Sequence, residues 1–528
     1  MQLKVITVAA FLLATTYICP AQTMDSGTGA PSSSVGNNGD LYYRTDVPSV
    51  YGPKASGAWP STFSYVVGQG CTTVYHIDKD CDGYGVGPTT ITTDPNPVFG
   101  PDADDRDATV NTPASVLTKY GSINAFLTHL GFPTNRVYYI DANNGNDNNF
   151  SSSGCSYANP CADWGAVAST MNNGAGGTVI YLPGTSTGIN VCFPGACYYP
   201  WASSSASPVV LMSYPGTMAN FVTSNSPVNG GGGSYNASTN AIFDGFRLIA
   251  STPGVGGGIT GAWLQNVTFE NMELAGWVEG IETSAGGQNV TIKQNLFHDI
   301  SEHAIYPTTA DQDAATSVYS PTLLNCSAWT WQANGTKYNP NFNLVTNGNV
   351  FLFVGSGGWD AIHYNGEVCG GAITGNVLIG GGGTPITLQD GNQNVTISNN
   401  LIASNTAAGI TINTYGCDSN NMGVQSSQIG KSCDSRYSGG IGTQYYPSDE
   451  WNNTIINNTI WTGLNAPVSY FCPTGSCSVP YYGIDSADTS EGIPGLHSIK
   501  NPTIQNNITV SFDGNGGGAY PQLYFGLN

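Results

Sequence analysis

Seven asparagines recur in one context along this chain. Asn271, Asn295, Asn349, Asn376, Asn400, Asn458 and Asn507 each follow a short β-rich run and precede an apolar residue, as in VTIKQNLF, AITGNVLI and VTISNNLI. The spacing is 24 residues from Asn271 to Asn295 and from Asn376 to Asn400, and 27 from Asn349 to Asn376; longer intervals read as the same repeat with a loop inserted. A recurrent period of about 20 to 50 residues means stacked units rather than one globular core. Each unit is β-branched and rich in Gly and Asn, with no helical periodicity, so the expected stack is a β-solenoid.

Asparagine suits such a stack physically. It tolerates the left-handed backbone of a turn, and its amide both donates and accepts. In coils stacked about 4.8 Å apart, successive amides can hydrogen-bond along the axis and satisfy a buried corner. In this the chain resembles the pectate-lyase-like right-handed parallel β-helix proteins with their asparagine ladder. The resemblance covers residues 136–528 and implies an all-β fold. It says little about chemistry, because that scaffold hosts lyases, hydrolases, epimerases, phage spikes and adhesins.

The first 21 residues, with Lys4, an apolar run and a small-residue break after Ala21, read as a secretory signal peptide. No later stretch is apolar enough to cross a membrane. Of 13 cysteines, all but Cys19 fall into close pairs (Cys71 with Cys81, Cys155 with Cys161, Cys192 with Cys197, Cys417 with Cys433, Cys472 with Cys477) or remain as Cys326 and Cys369. Disulfides in an oxidising, extracellular compartment follow. The net charge of −21 argues against nucleic acid as a partner. The scarcity of Lys and Arg past Arg136 favours a neutral or weakly charged glycan over a polyuronate.

Residues 22–65 read as a linker and short extracellular module. In residues 66–112, Asp78, Asp80 and Asp82 alternate before Gly83, and Asp102, Asp104, Asp105 and Asp107 form a second acidic cluster. Alternating carboxylates before a glycine turn are how a loop surrounds a hard cation. The pattern resembles the aspartate-rich metal-binding repeats of bacterial surface proteins, and implies structural Ca²⁺. It departs from the EF-hand in having Thr89, not Glu, at the twelfth position. Residues 113–135 predict one bridging helix over Ser115–Phe132, and a further short helix around Asp163–Met171 is expected to cover the open end of the solenoid.

A second register accompanies the asparagines: EGIET, HAIYP, DAIHY, TPITL, AGITI and YGIDS. If Ile281, Ile305, Ile362, Ile386, Ile410 and Ile484 stack inward, the outward column is Glu282, Tyr306, His363, Thr387, Thr411 and Asp485. The long insertions at 308–343 and 414–452 both follow this strand and would flank a groove floored also by Asn365, Gln389 and Asn413. Tyr319, Trp329 and Trp331 in the first insertion are flat surfaces on which sugars stack. Glycoside hydrolysis needs two carboxyls, for which Asp360, Glu367 and Asp390 are the candidates, with His363 as orienting group or base and Glu282, His303 and Asp485 as titratable groups at the margins. Glu282, Tyr306, Trp329, Trp331, Asn365, Gln389 and Asn413 are the candidate sugar contacts. The expected function is therefore binding and cleavage of an extracellular polysaccharide. Alternatives are a non-catalytic adhesin or structural β-helix, and a Ca-dependent lyase using Lys293.

Overall fold

The computed structural model describes residues 24–27, 30–37, 41–44, 49–51, 54, 56–59, 76–87, 100–171, 174–186, 192–193, 196–197, 204–230, 239–307, 326, 341–355, 358–365, 368–389, 391–404, 408–414, 450–462, 484–488, 499–511 and 523–526. The chain divides into two units, Met1–Ser64 and Tyr65–Asn528. In the first, strand Leu41–Arg44 pairs parallel with Met24–Gly27 and antiparallel with Ser49–Tyr51. The buried Lys54 ammonium donates to the carbonyls of Ser33, Val35 and Gly36. The expected signal peptide lies outside the described residues.

The second unit is a parallel β-helix, which the crossover rule makes right-handed. Each coil runs through three faces. Face A comprises Ile305–Pro307, Ile362–Asn365, Ile386–Gln389, Ile410–Thr414, Ile484–Asp488 and Leu523–Gly526, all parallel. Face B runs from Val137–Ile140 through Asn341–Asn347, Val368–Thr374 and Gln393–Ser398 to Thr503–Gln505. Two long strands, Gly257–Glu270 and Glu279–Lys293, cross the corner and join faces A and B into one sheet. Face C is a separate ten-stranded sheet from Thr185–Ser186 to Ile508–Ser511.

Alternation decides what fills the interior. The isoleucine column is in register as the sequence predicts: Ile281 opposes Ile305, then Ile362, Ile386, Ile410 and Ile484, and all are buried. Face C contributes Leu248, Leu274, Phe297, Phe351, Leu378 and Ile402. Within this column the Phe297 and Phe351 rings stack at 4.9 Å. Burying each such side chain is worth about 1.5–3 kcal/mol. Gly371 keeps face B narrow: its φ is 139°, and a Cβ there would sit 2.4 Å from the Leu344 carbonyl oxygen.

The asparagine ladder occupies the corner between faces B and C. Asn376 shows its logic. Its Nδ2 donates to Thr346 O and Asn400 Oδ1, while its Oδ1 accepts from the backbone N–H and Nδ2 of Asn349. The same bonds link Asn295 to Asn349, Asn400 to Asn458 and Asn458 to Asn507. Two expectations need correction. The left-handed residue is the one before each rung (Gln294, Asn399, Asn457, Asn506) rather than the rung itself. Asn271 belongs to that preceding position, and its coil's rung is Met272, whose N–H donates to Asn295 Oδ1. Asn376→Ala is expected to orphan donors on Asn349 and the Thr346 carbonyl, costing about 2–4 kcal/mol. A denaturation midpoint unchanged from wild type would contradict this.

A second ladder, buried at Asn240 and exposed at Asn289 and Asn343, stands at the corner between faces A and B. Asn240, Asn266, Asn289 and Asn343 link amide to amide, as do Asn394, Asn452 and Asn501. All of these are left-handed. Gly370, also left-handed, stands between the two runs.

The expected single bridging helix is two, Pro113–Tyr120 and Ile123–Leu130. Gly121, with φ 76°, caps the first, and the Ser122 hydroxyl caps the second by accepting from the Ala125 N–H. A glycine followed by a good N-cap residue ends one helix and starts another. The pair packs Val116, Phe126 and Leu127 against Ile180, Val210 and Met212 of face B. Helix Gly165–Met171 contributes Val167, Ala168 and Met171 to the solenoid core. Disulfides join Cys155 to Cys161 and Cys326 to Cys369. Among the described residues no helix is long and apolar enough to cross a membrane.

Candidate functional site

Face A carries a concentration of polar chemistry. Register places Glu282 beside Tyr306, His363 beside Thr387, and Thr387 beside Thr411 and Asp485 in turn. Asn365, Gln389 and Asn413 form a parallel column. The column is more enclosed than a groove floor was expected to be. His363 is only 7% exposed, and Thr387 and Thr411 are also buried.

His363 has both ring nitrogens engaged. Nε2 lies 2.9 Å from Gln389 Oε1, and Nδ1 lies 3.1 Å from His303 Nε2 with Asp360 Oδ2 at 3.4 Å. Asp360 Oδ1 accepts from the Thr384 N–H, so its carboxylate ties two coils together. The His303 ring stacks on Tyr306 at 4.3 Å and meets Trp359 edge-on at 5.4 Å. Tyr306 accepts a 2.6 Å hydrogen bond from Asn365 Nδ2. Trp359, 47% exposed, is the open side of this aromatic group.

Burial dominates the electrostatics. It lowers both His363 and His303 to about 4, leaving them neutral near pH 7, and pushes the Asp360 carboxyl up. Glu279 is raised to about 7 by burial and by the charge of Glu302, and Glu282 to about 7 by burial and by Glu279. Two neighbouring carboxyls that keep a proton near neutrality are the condition that acid catalysis requires.

The structure therefore brings together Asp360, His363, Gln389, Asn365, Tyr306 and Glu282 from the sequence-based set. It draws in His303, a marginal group of the sequence-based set, and adds Glu302 in the same turn and Glu279 at the start of its strand, which strand alternation does not reveal. Trp329, Trp331, Glu367 and Asp390 lie outside the described residues, as does the side chain of Asn413. Lys293 is on face B, paired at 2.5 Å with Glu270. It lines a cavity of about 340 Å³ with Lys79, Asp105, Arg106 and Asp244. The only lysine considered for a lyase thus does not stand on the face that carries the cluster.

The aspartate-rich loop forms its own convergence. Ligand atoms of Asp78, Asp80 and Asp82, and of Asp80, Asp102 and Asp105, come within 4.8 Å of one another. Both oxygens of Asp80, and Oδ2 of Asp82, Asp102 and Asp105, are buried without a hydrogen-bond partner of normal geometry. Asp104 and Asp107 are engaged elsewhere: Asp104 holds Arg106 and His129, and Asp107 holds Lys119.

On face C, Arg247 and Glu273 pair across coils at 3.0 Å; Glu273 is 1% exposed and also meets His298 Nε2 at 3.1 Å. His298 Nδ1 lies 2.8 Å from Asp299. Burial alone would lower the imidazole; its hydrogen bonds to Asp299 and Glu273 outweigh this and lift it to about 9. A raised histidine contributes stability that is complete below about pH 6.5 and lost as pH rises through about 9. The loss is expected to reach at most about 3 kcal/mol. Thermal melts from pH 6 to 10 on wild type and His298→Gln test this; parallel curves for the two proteins would refute it.

No family model matches the chain, and no curated protein matches its sequence. Solved structures similar to it include the mannuronan C-5 epimerase AlgE4 A-module of Azotobacter vinelandii, at 13% identity and TM-score 0.30, covering 68% of this chain and 95% of that one. The pectate lyase Pel9A is similar at 15% identity and TM-score 0.30, covering 74% of this chain and 82% of that one. The lacto-N-biosidase of Eubacterium ramulus is similar at 9% identity and TM-score 0.34, covering 78% and 71%. The strand registers by themselves establish what this chain is structurally: a parallel β-helix with an internal asparagine ladder.

Proposed function

We propose that the protein binds and cleaves an extracellular polysaccharide on face A, with Glu282 as the proton donor. The observation that carries this reading is a carboxyl held near pKa 7 in register with Tyr306, whose ring stacks on His303, which in turn meets the exposed Trp359 ring. An aromatic ring offers a sugar its apolar face, and a half-protonated acid protonates a glycosidic oxygen at neutral pH. Asp360 and His363 act as positioning residues here, since both are buried and hydrogen-bonded. Glu367 and Asp390, outside the described residues, are the sequence's candidates for the partner carboxylate. The position of Lys293 weighs against the lyase alternative.

The aspartate convergence is best read as a structural Ca²⁺ site of Asp78, Asp80, Asp82, Asp102 and Asp105. The buried, unsatisfied oxygens of Asp80, Asp82, Asp102 and Asp105, gathered with Asp78, favour a hard cation with oxygen ligands. Bound calcium would hold the loop together and take no part in the chemistry.

The test is a panel of neutral and acidic polysaccharides with calcium present, read for reducing ends and for the absorbance of unsaturated products. Reducing ends alone are expected. Unsaturated products would replace hydrolysis with elimination, and binding without cleavage would replace the enzyme with an adhesin.

A further inference from the structure

His303 poses a problem that the glycan reading leaves open. It is 3% exposed, and its Nδ1 has no hydrogen-bond partner. The nearest group is Glu279 Oε1 at 3.7 Å, too long for a hydrogen bond. Glu279 Oε2 is likewise buried and unpartnered. Donor atoms of Glu279, Glu302 and His303 all lie within 4.8 Å of one another.

The hydrogen-bond chain behind His303 decides what that nitrogen offers. Gln389 presents its amide oxygen to His363 Nε2, so that nitrogen carries the proton. His363 Nδ1 is then the acceptor for His303 Nε2–H at 3.1 Å. This leaves His303 Nδ1 as a bare lone pair aimed at two carboxylates. Such an arrangement is repulsive unless a proton or a cation lies between them, and 3.7 Å is too long for a shared proton but leaves room for an ion. Ring orientation through an outer hydrogen-bond partner is how metal-ligating histidines are held.

We propose that Glu279, Glu302 and His303 bind a divalent transition-metal ion beside the face A cluster. Backbone hydrogen bonds from Glu302 N to Val278 O and from Gly280 N to His303 O lock the two contributing turns in register. One imidazole with two carboxylates suits Zn²⁺, Mn²⁺ or Co²⁺ better than Ca²⁺. Three protein ligands leave coordination positions open for water or a sugar oxygen, as catalytic rather than structural ions do. A part for the ion in the reaction rests on the glycan-cleaving reading.

The full-length mature protein, stripped of transition metals and kept in excess Ca²⁺ to satisfy the aspartate loop, is titrated with Co²⁺ and followed by its visible absorption and by calorimetry. One Co²⁺ per chain is expected, undisplaced by Ca²⁺. His303→Ala and Glu302→Gln should remove it, and His363→Asn should weaken it by about 10- to 100-fold through loss of the orienting bond. Circular dichroism checks that each variant is folded, and any one folded ligand variant suffices. No absorption band in wild type, or equal binding by wild type and the folded ligand variants, overturns the site. Reducing-end assays on the same samples judge the glycan reading separately. Metal binding without cleavage leaves the ion and removes its catalytic role, whereas cleavage without metal binding removes the ion and leaves the hydrolase.

Discussion

Glu282→Gln is expected to lower polysaccharide cleavage by about 10²- to 10⁴-fold, the usual worth of a positioned acid, while leaving the fold intact. With the Glu279 site free of metal, the wild-type rate should fall as pH rises past about 7, because the acid must be protonated to act and burial with the charge of Glu279 holds it at about 7. The stability effect has the opposite sign. A carboxyl raised above its ordinary value binds its proton more tightly in the folded state, so the folded protein loses stability as pH rises from about 4.5 to 7. Removing the ionisable group relieves this. Glu282→Gln should therefore melt no lower than wild type at pH 8, and it should lack the alkaline limb of any residual activity. Melting and activity that fall together would assign Glu282 a structural role instead.

Chelation of calcium is expected to open the aspartate-rich loop to trypsin at Lys79 and Arg106. An ion present at 100 to 1,000 times its dissociation constant stabilises by about 2.7–4.1 kcal/mol, so cleavage should accelerate by roughly 100- to 1,000-fold where the loop opens and recloses faster than it is cut. The effect has a pH signature. Without a cation, burial and neighbouring carboxylates raise Asp80 to about 6, Asp105 to about 7 and Asp102 to about 8. Between about pH 4 and 8 the folded loop then binds more protons than the unfolded one, so the metal-free loop weakens as pH rises. Calcium should matter most near pH 8 and least near pH 5. Equal digestion rates with and without EDTA at pH 8 would dispose of the site. Asp104→Asn, which keeps the chelating set, should retain calcium protection, whereas Asp80→Asn should not.

Repetition made the solenoid legible. A residue buried at one corner of every coil meets its own equivalent above and below, so the chemistry that suits one rung suits all. Asn349, Asn376, Asn400 and Asn458 announce themselves in the sequence for that reason. The isoleucine column is legible on the same ground, and with it the outward positions of Glu282, Tyr306 and His363. Asn271 was misassigned by one residue because a left-handed asparagine and a ladder asparagine are adjacent in VTISNNLI and look alike in a string. Only the hydrogen bond from Met272 to Asn295 separates them.

The site was legible only in part. Strand alternation identifies the residues that leave a face, but Glu302, His303 and Asp360 sit in the turns that lead into face A, and Glu279 stands at the very start of its strand. No period governs which way a turn residue projects. Their convergence depends on how one coil's turn docks on the next, as the Val278–Glu302 and Gly280–His303 backbone bonds show. The bridging segment failed for a related reason: apolar spacing ran smoothly through Gly121-Ser122, while capping chemistry there ends one helix and begins another.

What the sequence determined by itself is the stacked architecture, because a parallel coil must satisfy the same burial and the same corner hydrogen bonds at each repeat, and that demand is written once per period. What the tertiary structure alone decided is which groups meet. Lys293 went to a cavity on face B, His363 was enclosed with its ring nitrogens engaged, and His303 was turned toward Glu279 and Glu302. Those outcomes depend on contacts between residues some 20 to 60 positions apart and on burial that shifts a proton's affinity, and neither quantity is carried by any local pattern of residues.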